Sequence, residues 1–137
     1  MLDNGIYLGF DFGMQNIGVA VGQKITASAT PVTILRAKEG VPDRRQIDEL
    51  VANWQVSAII VGLPYQLDGS EQPISIATRK FGSLLQERYQ LQVYFMDERL
   101  TTKEAKRELA EQPQKHSLDR VDSYAAKLIL ESWLRLQ

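Results

Sequence analysis

The sequence predicts an α/β domain: a mixed central sheet that opens with an antiparallel hairpin, continues with parallel strands, and is flanked by helices. Three observations predict it. Two short apolar segments, Ile6 to Phe12 and Ile17 to Val21, are joined by the turn-like Gly13-Met-Gln-Asn16, the pattern of a hairpin. The run Ala58-Ile-Ile-Val-Gly62 is apolar on both faces, as a strand covered by helices must be. After the hairpin, strand-like and helix-like segments alternate, which favours a mixed sheet over a purely parallel one.

The elements follow in order. Thr30 to Leu35 is rich in β-branched residues and reads as a third strand. Pro42-Asp43 opens a helix that Asp43 can cap, with Ile47, Leu50, Val51 and Trp54 at helical spacing. Leu63-Pro-Tyr-Gln-Leu-Asp-Gly69 has no periodicity and ends on an Asp-Gly turn signal, so a loop follows the central strand. Ser70 is placed to cap the next helix, whose Ile74, Ala77, Phe81, Leu84 and Leu85 share one face. Leu91 to Met96 returns as a strand. Thr101-Thr-Lys-Glu104 has capping-box spacing, so a helix begins just after Asp97-Glu98-Arg99-Leu100. A last helix runs from about Ser117 to Leu136, with Val121, Ala125, Leu128 and Ser132 on one stripe. Trp54 and Trp133 stand among aliphatics and are expected in the core.

With 137 residues, 44% of them hydrophobic, residues 1–137 can bury one sizeable core as a single domain. The 16 Lys and Arg nearly balance the 17 Asp and Glu, so overall charge does not advertise a nucleic-acid binder. Basic residues concentrate late in the chain, and an anion-binding surface is expected to draw on that half. The absence of cysteine excludes disulfides, thiolate zinc sites and cysteine nucleophiles. No apolar run approaches the roughly 20 residues a membrane-spanning helix needs, and no secretory leader is evident. The expectation is a soluble cytoplasmic protein without membrane association.

Three carboxylates carry the chemistry. Asp11 lies between Phe10 and Phe12 in the first strand, where an ionised side chain is costly unless compensated. It either caps the Gly13 turn or belongs to a site. Glu98 follows a strand directly, where loops of an α/β sheet gather; alternatively it is simply exposed before a helix. Asp122 falls in the second turn of the last helix, too deep for capping, and shares a face with Ala126, Ile129 and Trp133; an arginine partner is the other explanation. If the three meet about 5 Å apart at an effective dielectric near 20, their mutual repulsion is on the order of 10 kcal/mol. That rivals the whole stability of a domain. A hard divalent cation relieves it while leaving the acids ionised, and oxygen-only ligands favour Mg²⁺ or Mn²⁺. One or two such ions can clamp a phosphodiester and activate water.

Five ordered blocks extend the pattern over nearly the whole chain: Phe10-Asp-Phe-Gly13 with Ile17-Gly-Val-Ala-Val-Gly22, Ile59-Ile-Val-Gly-Leu-Pro64, Asp68-Gly-Ser-Glu-Gln-Pro73, Asp97-Glu-Arg-Leu-Thr-Thr102, and Val121-Asp-Ser-Tyr-Ala-Ala126. In these the chain resembles the YqgF family, also called RuvX, resolvase-like proteins of the ribonuclease H superfamily described as Holliday junction resolvases or pre-16S rRNA nucleases. The resemblance implies a ribonuclease H-like fold and assigns the metal-binding, catalytic acids to Asp11, Glu98 and Asp122. It further implies that Gly62, Pro64 and Asp68 shape a loop beside the site, and that Arg99 meets a phosphate unless it is an ion-pair partner. Asp119 departs from the family pattern, in which a basic residue is common there; it is either a fourth metal ligand or an acid favoured in the first helical turn.

Lys103, Lys106, Arg107, Lys115, Arg120 and Lys127 are candidates for a phosphate-binding rim, although Lys103 and Arg107 also have the spacing of a solvated helix face. His116 is either a phosphate contact or a solvated loop residue. The implied activity is metal-dependent endonucleolytic hydrolysis of structured nucleic acid, with precursor 16S rRNA at its 5′ end as the expected substrate and ribosomal precursor particles as possible partners. Cleavage of four-way DNA junctions is the alternative within the same chemistry; it usually requires a symmetric dimer, and the sequence is compatible with monomer or homodimer. The other classes are a non-catalytic nucleic-acid-binding factor in ribosome biogenesis or transcription, and a phosphotransferase of the actin type. The chain is too short for the paired domains of the latter.

Overall fold

The computed structural model describes residues 5–64, 72–98 and 118–137, the side chains of 118–123 excepted. Six strands form one sheet: β1 (Ile6–Asp11), β2 (Asn16–Gln23), β3 (Ser28–Lys38), β4 (Val41–Pro42), β5 (Ala58–Leu63) and β6 (Gln92–Asp97), in the order β4-β3-β2-β1-β5-β6. β1, β2 and β3 pair antiparallel in sequence, while β5 pairs parallel with both β1 and β6. The expected mixed sheet is therefore present. The third strand is longer than the β-branched run suggested, because β2 supplies a ladder from Asn16 to Gln23 for it to pair with. Asn16 opens β2 instead of closing the turn, and Leu63 continues β5 instead of opening the loop.

Two helices, α1 (Arg44–Trp54) and α2 (Pro73–Tyr89), cover one face of the sheet, and α3 (Leu118–Arg135) crosses the other. Strand alternation divides the core accordingly. Leu8, Phe10, Ile17, Val19, Ile59 and Val61 pack with Ile47 of α1 and Phe81 and Leu85 of α2. On the other face Tyr7, Ala58, Ile60 and Met96 meet Ile129, Leu130 and Leu134 of α3. All six residues of β5 are buried, and each such Val, Ile or Leu contributes roughly 1.5–3 kcal/mol.

Asp43 caps α1 as expected, its carboxylate accepting from the Arg45 amide at 3.0 Å. Ser70 lies outside the described residues; α2 starts later than expected, with Pro73 in its first turn after Gln72, whose side chain makes no capping bond. Proline has no amide proton to leave unpaired there, so it tolerates an uncapped start. Ser75 Oγ donates to the Pro64 carbonyl, holding the exit of β5 against α2. Across the helix pair, Arg88 Nε and Nη2 donate to the Asp48 carboxylate, each at 2.8 Å, and Tyr89 Oη donates to Asp48 at 2.6 Å.

Two core expectations fail. Trp54 is 41% exposed and Leu84 is 51% exposed. Trp54 is the last residue of α1, where the helix runs past the packed part of the sheet, and it lines a surface groove with Ile6, Val21, Pro31 and Val32. Leu84 looks out beside Phe81 and Leu85, since the sheet contacts a narrower stripe of α2 than the apolar pattern offers. Trp133 is half-buried on the α3 face between Tyr7 and Tyr94, with ring centroids 5.5 and 5.3 Å away. The helix expected after Thr101 lies outside the described residues.

Candidate metal and phosphodiester site

β1, β5 and β6 run parallel, so their carboxyl ends share one edge, where an α/β sheet gathers chemistry. Asp11 is the last residue of β1, opposite Gly18 of β2. The ladder pairs Phe10 with Val61, and one step further sets Asp11 beside Gly62; Gly62 in turn pairs with Met96. By alternation Asp11, Gly62 and Met96 point to the α3 face, as does Glu98, two residues beyond Met96. The geometry agrees: a Cβ built on Gly62 would lie 2.9 Å from Glu98 Oε1 and 2.5 Å from Ile129 Cδ1. Gly62 is bare backbone under the Glu98 carboxylate, with Asp11 on the adjoining strand about 4.8 Å away. Asp11 and Glu98 are both partly buried.

The path of α3 brings in the third acid's position. Trp133 meets Tyr7 edge-on, and a Cβ on Gly9 would lie 2.7 Å from Leu130 Cβ and 3.2 Å from the Ala126 carbonyl oxygen. Toward Asp11 along β1, α3 is thus followed toward its start. From Ala126 to residue 122 the helix rises about 6 Å, matching the roughly 6.6 Å from Gly9 to Asp11. The backbone of residue 122 therefore stands level with the end of β1.

Of the expected acids, Asp11 and Glu98 are brought to one end and one face. The side chains of Asp122, Asp119 and Arg120 lie outside those described, as do residues Arg99, Lys103, Lys106, Arg107, Lys115, His116 and Asp68. Accordingly, the described side chains contain no group of three potential metal ligands. Lys127 lies over its neighbour Tyr124, 4.8 Å from the ring centroid, a cation–π contact on α3. The two described acids offer carboxylate oxygens, donors that suit a hard cation, and the Gly62 backbone leaves room for that of Glu98.

Sequence reasoning missed two features. Gly62 is more than a loop former, since it supplies the seat of Glu98; only the pairing of β5 with β6 makes that visible. Asn16 opens β2 on the same face as Asp11, and its buried Oδ1 has no hydrogen-bond partner among the described residues; in sequence it looked like an ordinary turn residue. A separate groove of about 470 Å³ runs on the opposite face, lined by Phe12, Val41, Ile47, Phe81 and Leu84 among others. Neither acid lines it.

The RuvX family model, described as Holliday junction resolvase, matches residues 5–136. A Coxiella burnetii protein named "Putative pre-16S rRNA nuclease" is 53% identical over 98% of this chain and 95% of its own length. Relatives of the same name from Sodalis glossinidius and Proteus mirabilis are 45% and 42% identical, over 95% and 99% of this chain and 94% and 99% of theirs. Among solved structures, Thermus thermophilus RuvC in complex with a Holliday junction substrate aligns with a TM-score of 0.60 at 14% identity, covering 96% of this chain and 95% of that one. The Fowlpox virus resolvase aligns at 0.54 and 11%, covering 96% and 97%. These distant likenesses show the resolvase-type, ribonuclease H-like fold. Matched end to end by the family model and more than half identical to a named relative, the chain belongs to the RuvX family.

Proposed function

We propose that this protein is a divalent-metal-dependent endonuclease that hydrolyses phosphodiester bonds of structured nucleic acid, with precursor 16S rRNA as its substrate. The observation that carries the reading is the placement of Asp11 and Glu98 on one face at the carboxyl ends of parallel strands, on either side of the bare Gly62 backbone. The names of the curated relatives support the choice of substrate. The absence of a helix long and apolar enough to cross a membrane among the described residues is compatible with work on ribosomal precursors in the cytoplasm.

Asp11, Glu98 and Asp122 would hold Mg²⁺ or Mn²⁺; Asp119 is either a further oxygen donor or an acid favoured in the first turn of α3. When bound, one or two such ions supply charge neutralisation at the phosphate and a water acidic enough to attack. The protein's part is positional. β1 and the turn that leaves β6 hold two carboxylates in place, so little reorganisation is needed when charge develops on the phosphate. Arg99, Lys103, Lys115 and Arg120 contact flanking phosphates and orient the strand. Water oxygen bonds to phosphorus, the bond to the 3′ oxygen breaks, and that oxygen takes a proton, leaving a 5′-phosphate and a 3′-hydroxyl.

The test uses labelled precursor rRNA and a four-way DNA junction side by side. Cleavage of the RNA, abolished by EDTA and by Asp11→Asn, is expected; activity that survives either treatment refutes the mechanism. The description of the family model favours the junction as a second reading, and faster cutting of the junction than of the RNA would establish it. Metal-dependent thermal stabilisation with no cleavage of either substrate would instead favour a binding factor.

A further inference from the structure

Asn16 lies close to the acids without belonging to them. Directly paired residues of an antiparallel ladder share a face, so Gly18 faces the same way as Asp11. Alternation along β2 returns Asn16 to that face, while Ile17 and Val19 point into the opposite core. Asn16 is thus the diagonal neighbour of Asp11, about 7–8 Å away between Cα atoms. It is also one row nearer the exposed edge. Its Oδ1 is buried, yet among the described residues neither backbone nor side chain donates to it. A buried amide oxygen that no protein group satisfies is expensive to keep. Proteins tolerate such costs mainly where a ligand repays them.

We propose that Asn16 is a ligand-contacting residue of this site, its Oδ1 accepting a hydrogen bond from a hydroxyl that arrives with the ligand. The inference rests on the nuclease reading of the preceding section. The chemistry follows from the acceptor. A phosphate diester carries no proton to donate, and base N–H groups lie a sugar away from the phosphate that the acids would hold, so the partner beside the site is an O–H group. Two sources meet that description: a water in the shell of a hydrated divalent cation, since small hard ions keep several waters, and the 2′-hydroxyl of a ribose, the group that tells RNA from DNA.

The test compares full-length wild type with Asn16→Leu, which keeps the branched shape and removes the acceptor, and with Asn16→Ala. Melting is followed without ligand; binding is followed with Mn²⁺ alone and with RNA and DNA oligonucleotides of one sequence. Both variants are expected to melt no lower than wild type, and Leu about 3 °C higher, while ligand affinity falls about five- to tenfold. If the partner is a cation-bound water, Mn²⁺ affinity itself falls and RNA and DNA suffer alike. If it is the 2′-hydroxyl, Mn²⁺ affinity holds and only RNA binding weakens. Variants that melt lower yet bind Mn²⁺, RNA and DNA as wild type does would overturn the proposal and leave Asn16 a turn residue. Asp11→Asn, run in parallel, separates the failures: if it binds Mn²⁺ and cleaves normally, the reading of the site falls and this inference with it. If it is inactive while the Asn16 variants match wild type, this inference alone falls.

Discussion

Replacing Gly62 with alanine inserts one methyl group between an acid and a helix. The new Cβ would lie 2.5 Å from Ile129 Cδ1, 3.2 Å from Ile129 Cγ1 and 2.9 Å from Glu98 Oε1, where ordinary carbon contacts need about 3.5–4.0 Å. Either α3 moves off the sheet by most of an ångström or both side chains leave their rotamers. Overpacking of this kind costs about 1–3 kcal/mol. With an unfolding entropy of roughly 2.1 cal/mol/K per residue, that lowers the melting midpoint of a domain this size by about 4–10 °C, leaving it folded at 25 °C. Because the Glu98 carboxylate is one of the displaced groups, Mn²⁺ affinity measured by calorimetry is expected to fall about fivefold or more. Gly82→Ala is the matched control: its Cβ would lie 2.5 Å from the Phe95 ring, on α2 and far from any acid of the site. It should be destabilised, less so because alanine favours helix, with Mn²⁺ affinity unchanged. Wild-type melting in Gly62→Ala would refute the steric reasoning; destabilisation with wild-type Mn²⁺ affinity would refute the seat.

Other expectations concern the scaffold. The hydrogen bonds from Arg88, and then from Tyr89, hold the Asp48 carboxyl down at about 2 from an ordinary 3.8. A depressed acid lends stability above its unfolded value and loses it as pH falls, so between about pH 4 and 2 acid denaturation should be shallower in Asp48→Asn than in wild type. Burial, then the bond to Asp48, pushes Tyr89 up to about 12; ultraviolet titration should show a tyrosine step near that pH that Tyr89→Phe removes. Ser132 is buried in α3 with a hydroxyl that has no partner among the described residues, so Ser132→Ala should raise stability by about 1 kcal/mol in urea melts. A loss there would reveal a bond the hydroxyl makes in solution. Asp43→Ala removes the cap of α1 and should cost about 1 kcal/mol, with cleavage unaffected.

Local chemistry made much of this protein legible. The hairpin, the doubly apolar β5 and the Asp43 cap are each encoded within a few neighbouring residues, and the structure bears them out; the expected order of elements holds over the described residues, with the short β4 added. Asp11 and Glu98 stood out because a charge at the end of an apolar strand contradicts its own surroundings. Trp54 and Leu84 misled because helical spacing reports a face, not how far the sheet extends beneath it. Gln55 and Gln90, which end α1 and α2 with φ of 50° and 56°, gave no signal at all, since glycine is the usual residue for that conformation. The sequence alone determined the alternation, the cap and which carboxylates were anomalous, because such properties depend on short stretches of chain. Tertiary structure decided that Glu98 lies over Gly62, that α3 runs antiparallel to β1 so that residue 122 comes level with Asp11, that Arg88 reaches Asp48, and that the buried Asn16 Oδ1 meets no donor among the described residues. Those outcomes depend on register between strands dozens of residues apart, and a shift of one residue in register turns every side chain to the opposite face.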